Sequence, residues 1–194
     1  PRPGERIVEI GPGRGALTLP LLARCGRVEV IEIDRDLVPI LRERAAGLGE
    51  LVVHEADVLE VDFATLHGGG AKLRACGNLP YNISTPLLFH LLGSRAVISD
   101  MHFMLQKEVV DRIVAPPGSK TYGRLTVMLA AACSSEALFR VGRGAFQPPP
   151  AVDSAVVRLV PHEDDPFPLP DPARFARVVA AAFSMRRKTL RNSL

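Results

Sequence analysis

Val8-Glu9-Ile10-Gly11-Pro12-Gly13-Arg14-Gly15-Ala16 is the stretch on which the predicted fold depends. An apolar run over 6–10 leads into glycines at three alternate positions, and a helical pattern begins at Leu17. This order predicts a strand, a tight turn and a helix. Glycines allow the backbone to approach a ligand closely, and the start of a helix offers free N–H groups to it. We therefore expect a ligand-binding turn here rather than a plain connection between two elements.

A carboxylate in the next apolar run indicates the class of ligand. The run over 28–33 predicts a second strand, and it carries Glu32 near its end. In doubly wound folds a carboxylate at this position accepts hydrogen bonds from the hydroxyls of a ribose. The order strand, glycine turn, helix, strand and acid therefore predicts a cofactor that contains adenosine.

The spacing of the glycines bears on which cofactor this is. Dinucleotide enzymes favour G-x-G-x-x-G, whereas this chain has G-x-G-x-G, with Glu9 inside the strand that precedes it. The arrangement resembles the first motif of the class I S-adenosylmethionine-dependent methyltransferases, in which the glycines pack under the methionine part of the cofactor. We expect Glu9, Gly11 and Gly13 to contribute to S-adenosylmethionine binding. A nicotinamide-dependent oxidoreductase is the alternative.

Composition narrows the protein class. With 194 residues, 47% hydrophobic content and no apolar run of membrane-spanning length, the chain is typical of one soluble α/β domain with part of another. Its three cysteines lie far apart and its histidines lack ligand spacing, so we predict no disulfide, no metal and a cytoplasmic location. Because the first residues lead straight into a strand, we also expect native sequence upstream of Pro1.

Further apolar runs complete the predicted sheet. They predict strands at 51–54, 73–77, 101–105, 137–141 and 155–160. Helical patterns lie between most of these runs. The pattern predicts a Rossmann-like α/β domain over residues 1–160, with a mostly parallel seven-stranded sheet.

Two aspartates in this domain are candidates for caps. Asp36 is expected to cap a helix that runs to about Ala46. Asp57 and Val58 follow the third predicted strand and should lie near the adenine, because strand ends in a doubly wound sheet converge on the cofactor crevice. The alternative for Asp57 is an N-cap of the next turn.

The end of the chain is strongly basic. Residues 174–194 contain six basic residues and no acids, so residues 1–173 carry a net charge of −3. The preceding segment, 161–171, has four prolines and four acids and is predicted to be a linker. We expect 172–194 to be the beginning of an incomplete helical domain. Contact with phosphates, or else a solvated helix face, is predicted for four clustered cations: Arg186, Arg187, Lys188 and Arg191.

The fourth predicted strand ends in a second informative segment, Asn78-Leu79-Pro80-Tyr81. Methyl transfer to an aromatic amine requires a nitrogen lone pair that is normally delocalised into the ring, and two acceptors for the amine protons favour a pyramidal nitrogen. The Asn78 side chain and a backbone carbonyl held by Pro80 supply two such acceptors, while Tyr81 offers a face for stacking. The alternative is a simple strand-ending turn.

A proline-rich segment over 146–154 holds one aromatic residue in a fixed place. Three consecutive prolines restrict the backbone to an extended conformation at low entropic cost. Phe146, at its start, is therefore a candidate for stacking on a base, and a core-facing phenylalanine is the alternative.

Longer motifs throughout the chain are similar to those of the small-subunit ribosomal RNA adenine dimethyltransferases, the KsgA family. The resemblance implies that Gly11, Glu32, Asp57 and Asn78 bind S-adenosylmethionine and that Tyr81 and Phe146 hold the target adenine. The motifs are Glu9-Ile10-Gly11-Pro12-Gly13, Asn78-Leu79-Pro80-Tyr81-Asn82-Ile83-Ser84, Gln106-Lys107-Glu108-Val109, Tyr122-Gly123-Arg124-Leu125, Phe146-x-Pro148-x-Pro150-x-Val152-Asp153-Ser154 and Arg186-Arg187-Lys188-Thr189-Leu190-Arg191-Asn192.

The resemblance also implies a product and a partner. The product is the dimethylated exocyclic amine of two adjacent adenines near the 3′ end of small-subunit rRNA, and the partner is an assembling 30S ribosomal subunit. We expect a monomer. Compared with the family, the chain lacks an upstream segment that closes over the methionine end of the cofactor, and most of the C-terminal helical domain.

Three other functions stay open. Large-subunit rRNA adenine methyltransferases of the macrolide-resistance type share the fold and mechanism, although Leu79 and the proline-rich motif favour the small-subunit enzyme. A nicotinamide oxidoreductase needs a group for hydride chemistry, and none is identifiable. A non-catalytic ribosome assembly factor is a different class, against which the intact segment 78–81 argues.

Overall fold

A computed structural model describes residues 1–80, 83–164, 169–185 and 190 of the chain. Its centre is one seven-stranded sheet with the strand order β3-β2-β1-β4-β5-β7-β6. The strands are β1 Arg6–Ile10, β2 Arg27–Glu32, β3 Glu50–Glu55, β4 Leu73–Asn78, β5 Ile98–Gln106, β6 Cys133–Val141 and β7 Ser154–Pro161. The sheet is parallel except for β7, which runs antiparallel to both of its neighbours.

Helices connect the strands and cover the sheet. The α-helices of the described residues are α1 Thr18–Cys25, α2 Leu37–Ala45, α3 Phe63–His67, α4 Ser84–Gly93, α5 Lys107–Ile113, α6 Arg124–Ala130 and α7 Pro172–Ala182, and two short 3₁₀ helices lie at Arg95–Val97 and Arg143–Ala145. From β1 the chain goes to β2 and β3 on one side, and it then returns to β4 on the other side. The carboxyl ends of β1 and β4 therefore border the topological switch point, where folds of this type bind their ligands.

The core has two parts, one on each face of the sheet. Along β1, Val8 and Ile10 belong to the larger cluster, which also contains the buried side of α4, whereas Ile7 belongs to a smaller cluster with Leu22 of α1 and Leu41 of α2. This alternation is the period of two that an extended strand imposes. Both faces of the central strands are buried, which explains their nearly continuous apolar sequences.

The predicted seven-stranded, mostly parallel sheet is confirmed, and all seven predicted strands are present. Strand β6 is longer than predicted and begins at Cys133, and its pairing with β7 shifts register between Ala137 and Phe139. Helix α3 was not predicted. Asp36 does precede α2, but its side chain makes no capping hydrogen bond, so the predicted cap is wrong.

Helix α7 follows the predicted linker, part of which (165–168) lies outside the described residues. Its start is capped by Asp171, whose carboxylate accepts a hydrogen bond from the Arg174 N–H at 2.8 Å. The helix packs against α6, and the rings of Tyr122 and Phe183 lie 6.1 Å apart. The division into a domain over 1–160 and a second domain from 172 stays a prediction. Within the described ranges, none of the helices has the length and apolar character needed to cross a membrane.

Candidate active site

The carboxyl ends of β1 and β4 approach each other unusually closely at the switch point. A Cβ added to Gly77 of β4 would overlap the carbonyl oxygen of Ile10, the last residue of β1. The obstacle is backbone, so it cannot be relieved by rotating a side chain. Gly77 therefore allows the end of β4 at Asn78, and the residues that follow, to lie beside the glycine turn after β1.

The glycine turn has the backbone conformation that its sequence requires. Gly11, Gly13 and Gly15 have φ values of +66°, +56° and +86°, which side-chain-bearing residues rarely adopt. A Cβ at Gly11 or Gly13 would meet open space, whereas one at Gly15 would lie 2.7 Å from Leu41 of α2. Gly11 and Gly13 thus line an open cradle at the strand end, while Gly15 serves packing against α2.

Glu32 ties the end of β2 to this turn. Its side chain is buried, and its two carboxylate oxygens accept hydrogen bonds from the N–H groups of Gly13 (3.1 Å) and Asp34 (3.0 Å). These bonds fix the carboxylate at the edge of the cradle. The position agrees with the predicted one, and contact with a ribose stays a prediction.

Glu9 lies beneath the same turn. Its carboxylate accepts a hydrogen bond of 2.6 Å from the Thr18 hydroxyl at the start of α1, and its side chain is only 2% exposed. Burial raises the pKa of Glu9 from 4.5 to about 7; the Thr18 hydrogen bond opposes this shift, and the nearby Glu32 carboxylate adds to it. The strand that leads into the glycine turn therefore contains a carboxyl group whose pKa is close to neutral pH.

Asp57 and Val58 follow β3 at the same edge of the sheet. The Asp57 carboxylate accepts a hydrogen bond of 2.9 Å from the Leu59 N–H. This bond caps the turn after β3, which is the alternative role that the sequence analysis gave for Asp57. Val58 is buried and joins the larger core cluster. Contact of either residue with an adenine stays a prediction.

The end of β4 and the residues after it combine an exposed polar side chain with an anchored backbone. Asn78 is exposed, whereas the side chain of Leu79 is 1% exposed and packs in the core. The Leu79 N–H donates to the Met104 carbonyl of β5 at 3.2 Å, and the Pro80 carbonyl accepts from the Ile83 N–H at 3.3 Å. The backbone that carries the Leu79 carbonyl is therefore anchored on both sides, and the exposed Asn78 side chain lies next to it. Tyr81 lies outside the described residues.

Phe146 is half-buried and follows a short 3₁₀ helix, Arg143–Ala145. Asp153 holds this turn, because its carboxylate accepts from the Arg143 N–H at 3.2 Å and its carbonyl accepts from the Lys107 N–H at 2.9 Å. The sequence did not assign Asp153 a role. The available signal was its place in the proline-rich motif, but the partners of Asp153 are distant in sequence from one another and become neighbours only in the sheet.

A cavity of about 450 Å³ opens beside this turn. It lies at the carboxyl end of β5, where Lys107 and Asp111 form an ion pair across one turn of α5. The cavity was not predicted, because it forms where α5 and the segment before β7 come together. Its lining residues are Gln106, Lys107, Glu108, Asp111, Arg143, Ala151, Val152 and Asp153.

The predicted phosphate-binding residues Arg186, Arg187, Lys188 and Arg191 lie outside the described residues. Over the part of the chain that is described, His, Cys, Asp and Glu side chains form no group of three or more that could hold a metal ion. Cys25, Cys76 and Cys133 are free thiols.

The sheet order with one antiparallel strand, the open glycine cradle and an acid at the end of β2 define a Rossmann-like fold of the methyltransferase type. Comparisons with known proteins agree. The family model for ribosomal RNA adenine dimethylases matches residues 1–194, so the chain belongs to that family. It is an enzyme that methylates adenine in ribosomal RNA.

Individual relatives show how close this likeness is. Ribosomal RNA small subunit methyltransferase A of Xanthomonas oryzae is 60% identical over 194 residues, which are 100% of this chain and 74% of the relative. A dimethyladenosine transferase from Plasmodium falciparum has a solved structure with a TM-score of 0.85 and 32% identity, covering 99% of this chain and 68% of that one. The 23S rRNA methyltransferase ErmE gives a TM-score of 0.80 and 28% identity, covering 99% of this chain and 75% of that one.

These findings confirm the family to which the sequence motifs pointed, and they decide against a nicotinamide oxidoreductase. The roles predicted for individual residues are a separate matter. The structure brings Glu9, Gly11, Gly13, Glu32, Asp57 and Asn78 to one edge of the sheet, but their contacts with cofactor and substrate stay predictions.

Proposed function

We propose that this chain transfers methyl groups from S-adenosylmethionine to the exocyclic amines of two adjacent adenines near the 3′ end of small-subunit rRNA. The 60% identical relative carries a small-subunit name, whereas ErmE, which acts on 23S rRNA, is 28% identical. The observation that carries the proposal is the placement of Asn78 and the Leu79 carbonyl beside the open glycine cradle.

The cradle fits the proposed cofactor. Gly11 and Gly13 leave open the space that side chains would fill, and the fixed Glu32 carboxylate is positioned to accept hydrogen bonds from ribose hydroxyls. Asp57 and Val58 lie at the end of the next strand, where they would border the adenine. When bound, S-adenosylmethionine supplies an electrophilic methyl group on a sulfonium sulfur.

Asn78 and Leu79 orient the target amine. The Asn78 side-chain oxygen and the Leu79 carbonyl accept the two amine protons, which favours a pyramidal nitrogen with its lone pair directed at the methyl group. The buried Leu79 side chain and its N–H bond to Met104 keep this carbonyl in place, and Pro80 restricts the following backbone. Tyr81 and Phe146 would stack on the adenine ring.

No strong general base is required at this site. The amine loses its proton only after the nitrogen has become cationic, and the two acceptors already bind its protons. What the chain supplies is position and hydrogen bonding, which preorganised polar groups provide without reorganising during the reaction.

The proposed partner is an assembling 30S ribosomal subunit in the cytoplasm. We propose that the chain binds it as a monomer. Arg186, Arg187, Lys188 and Arg191 would contact RNA phosphates. Four cations within six residues, without an acid among them, are best stabilised by an external polyanion.

Incorporation of labelled methyl groups tests the proposal. The chain is supplied with S-adenosylmethionine and either unmethylated small subunits or large subunits, and we expect label in adenines of the small subunit. In the variant Asn78→Ala the rate should fall about a hundredfold or more, because one preorganised acceptor is lost. Ser134→Ala, an exposed change on β6 at the far edge of the sheet, is the matched control and should retain full activity.

Two results would contradict the proposal. Label confined to large subunits would assign the chain to the ErmE type of substrate. Near-normal turnover of a folded Asn78→Ala variant would remove Asn78 from the catalytic residues.

A further inference from the structure

Two of the four buried acids in the described residues have no cationic partner, and both lie at the glycine cradle. Glu29 pairs with Arg6 at 3.2 Å, and Asp100 pairs with Arg74 at 2.8 Å. Glu9 and Glu32 are equally buried, yet their hydrogen bonds come only from a hydroxyl and from backbone N–H groups. Buried carboxylates are normally paired, so this pair of acids is unusual within the same protein.

The two carboxylates face the same side of the sheet. Glu9 is paired in register with Val30, and Glu32 lies two residues beyond Val30 on β2, so all three share one face of the two strands. On that face the turn 11–15 crosses the strand ends and leads into α1. The acids therefore lie together under the residues that form the cradle.

We infer that Glu9 and Glu32 make the cofactor site select a cationic methyl donor over its neutral, demethylated product. The inference rests on the proposed function. In the transfer, the amine lone pair forms the new nitrogen–carbon bond, and the electron pair of the broken carbon–sulfur bond stays on sulfur. The nitrogen then loses a proton to solvent. The sulfur thus changes from a cation to a neutral atom, while the adenosine and amino-acid parts of the two compounds are identical.

The buried carboxylates of Glu9 and Glu32 interact differently with the two compounds, because only the donor carries a positive charge on sulfur. Before transfer, a cation compensates their charge, whereas after transfer the charge is again uncompensated in a site of low polarity. The product is therefore held less tightly than the donor. Such a site favours release of the product and limits its inhibition of the next methylation, which matters for an enzyme that must add several methyl groups.

Glu9 makes this selectivity dependent on pH. Because its pKa is raised to about 7, its carboxyl is largely neutral at pH 5.5 and ionised at pH 7.5. Among the described residues, the titratable groups on this face beside it are Glu32 from β2, Cys76 from β4 and Cys25 from α1. Burial raises the pKa of the Cys76 thiol, which stays neutral in this range. The preference for the donor should therefore increase as Glu9 ionises.

Calorimetric titration with S-adenosylmethionine and with S-adenosylhomocysteine tests the inference without catalysis. We expect the ratio of the two dissociation constants to shift toward the donor by about fivefold between pH 5.5 and 7.5, which corresponds to one unit of pKa difference between the two complexes. Binding of the donor at pH 7 should also release more protons than binding of the product, as measured in buffers of different ionisation enthalpy.

Two variants and a control locate the effect. Glu9→Gln retains the acceptor for Thr18 but cannot ionise, so its ratio should not change with pH. Thr18→Val removes the hydroxyl that stabilises the ionised form, so the change should move to higher pH. Glu136→Gln, an exposed acid on β6, should behave like the unaltered chain.

The outcomes separate the two claims. A ratio that stays constant with pH in the unaltered chain, while both compounds bind, overturns this inference and leaves the proposed function intact. A normal pH response in Glu9→Gln also overturns it, because the titrating group would lie elsewhere. Failure of both compounds to bind overturns the proposed function itself.

Discussion

At the scale of single residues, Glu9 couples the stability of the empty protein to pH. Its pKa is about 7 in the folded chain and near 4.5 when unfolded, so between these values the folded state binds more protons. Stability should therefore fall as pH rises from about 4.5 to about 7, by about 3 kcal/mol, and stay level above. Urea unfolding of Glu9→Gln, compared with the unaltered chain at several pH values, should show that this fall is missing. If the unfolding free energies of the two proteins changed with pH in the same way, Glu9 would not be the group responsible.

The sequence predicted Glu9 and Glu32 as site residues, but it did not predict the groups that surround them. The strand, glycine turn and acid are local patterns, so their positions could be predicted. That Glu9 bonds Thr18, and that no cation accompanies the two acids among the described residues, depends on how the turn folds back over the strands. Such contacts have no signature in composition or spacing.

At the scale of elements, Gly77 sets the spacing of β1 and β4. A Cβ there would collide with the Ile10 carbonyl, so Gly77→Ala should force the strands apart and destabilise the fold by about 1–3 kcal/mol. Gly93→Ala, at the end of α4 where the added atom meets open space, should be neutral or slightly stabilising. Thermal unfolding of the two variants tests this prediction. Equal stability would contradict it, because β1 and β4 would then accommodate the added Cβ without cost. Loss of S-adenosylmethionine affinity in Gly77→Ala should accompany the loss of stability.

Helices and strands could be predicted from the sequence where their hydrophobic pattern extended over enough residues. The central strands are buried on both faces and gave clear apolar runs, whereas α3 has five residues and shows too little periodicity. Its start is marked instead by Asp62, whose carboxylate accepts from the Ala64 N–H at 2.9 Å. Asp36 gave the same kind of signal without making such a bond, because its backbone is already helical rather than extended.

At the scale of the whole molecule, the basic end of the chain should govern how binding depends on salt. Arg187→Gln with Arg191→Gln should lower the slope of log affinity for small subunits against log salt by about one unit for each lost phosphate contact. Arg35→Gln with Arg42→Gln, two exposed cations near and on α2, makes the same change in net charge elsewhere. Small-subunit affinity measured across a salt series distinguishes them. An unchanged slope in the first pair would indicate a solvated helix face.

The family and the fold class followed from the sequence because motifs extend along the whole chain. The packing of the segments outside the sheet could not be predicted from the sequence. A helical segment from 172 was predicted, but the packing of α7 on α6 joins segments that are far apart in sequence. The same holds for the contact between the rings of Tyr122 and Phe183, which flank the two helices. The same limit applies to the turn at Phe146, whose support by Asp153 is a tertiary contact.

The register shift in β6 has a consequence for the behaviour of this protein in a crowded cell. Strand β6 is one of the two edge strands of the sheet and carries Phe139 with 60% of its surface exposed, a combination that favours edge-to-edge aggregation. The extra residue, Leu138, interrupts the regular row of backbone donors and acceptors along that edge. This interruption disfavours in-register pairing of a second copy along β6.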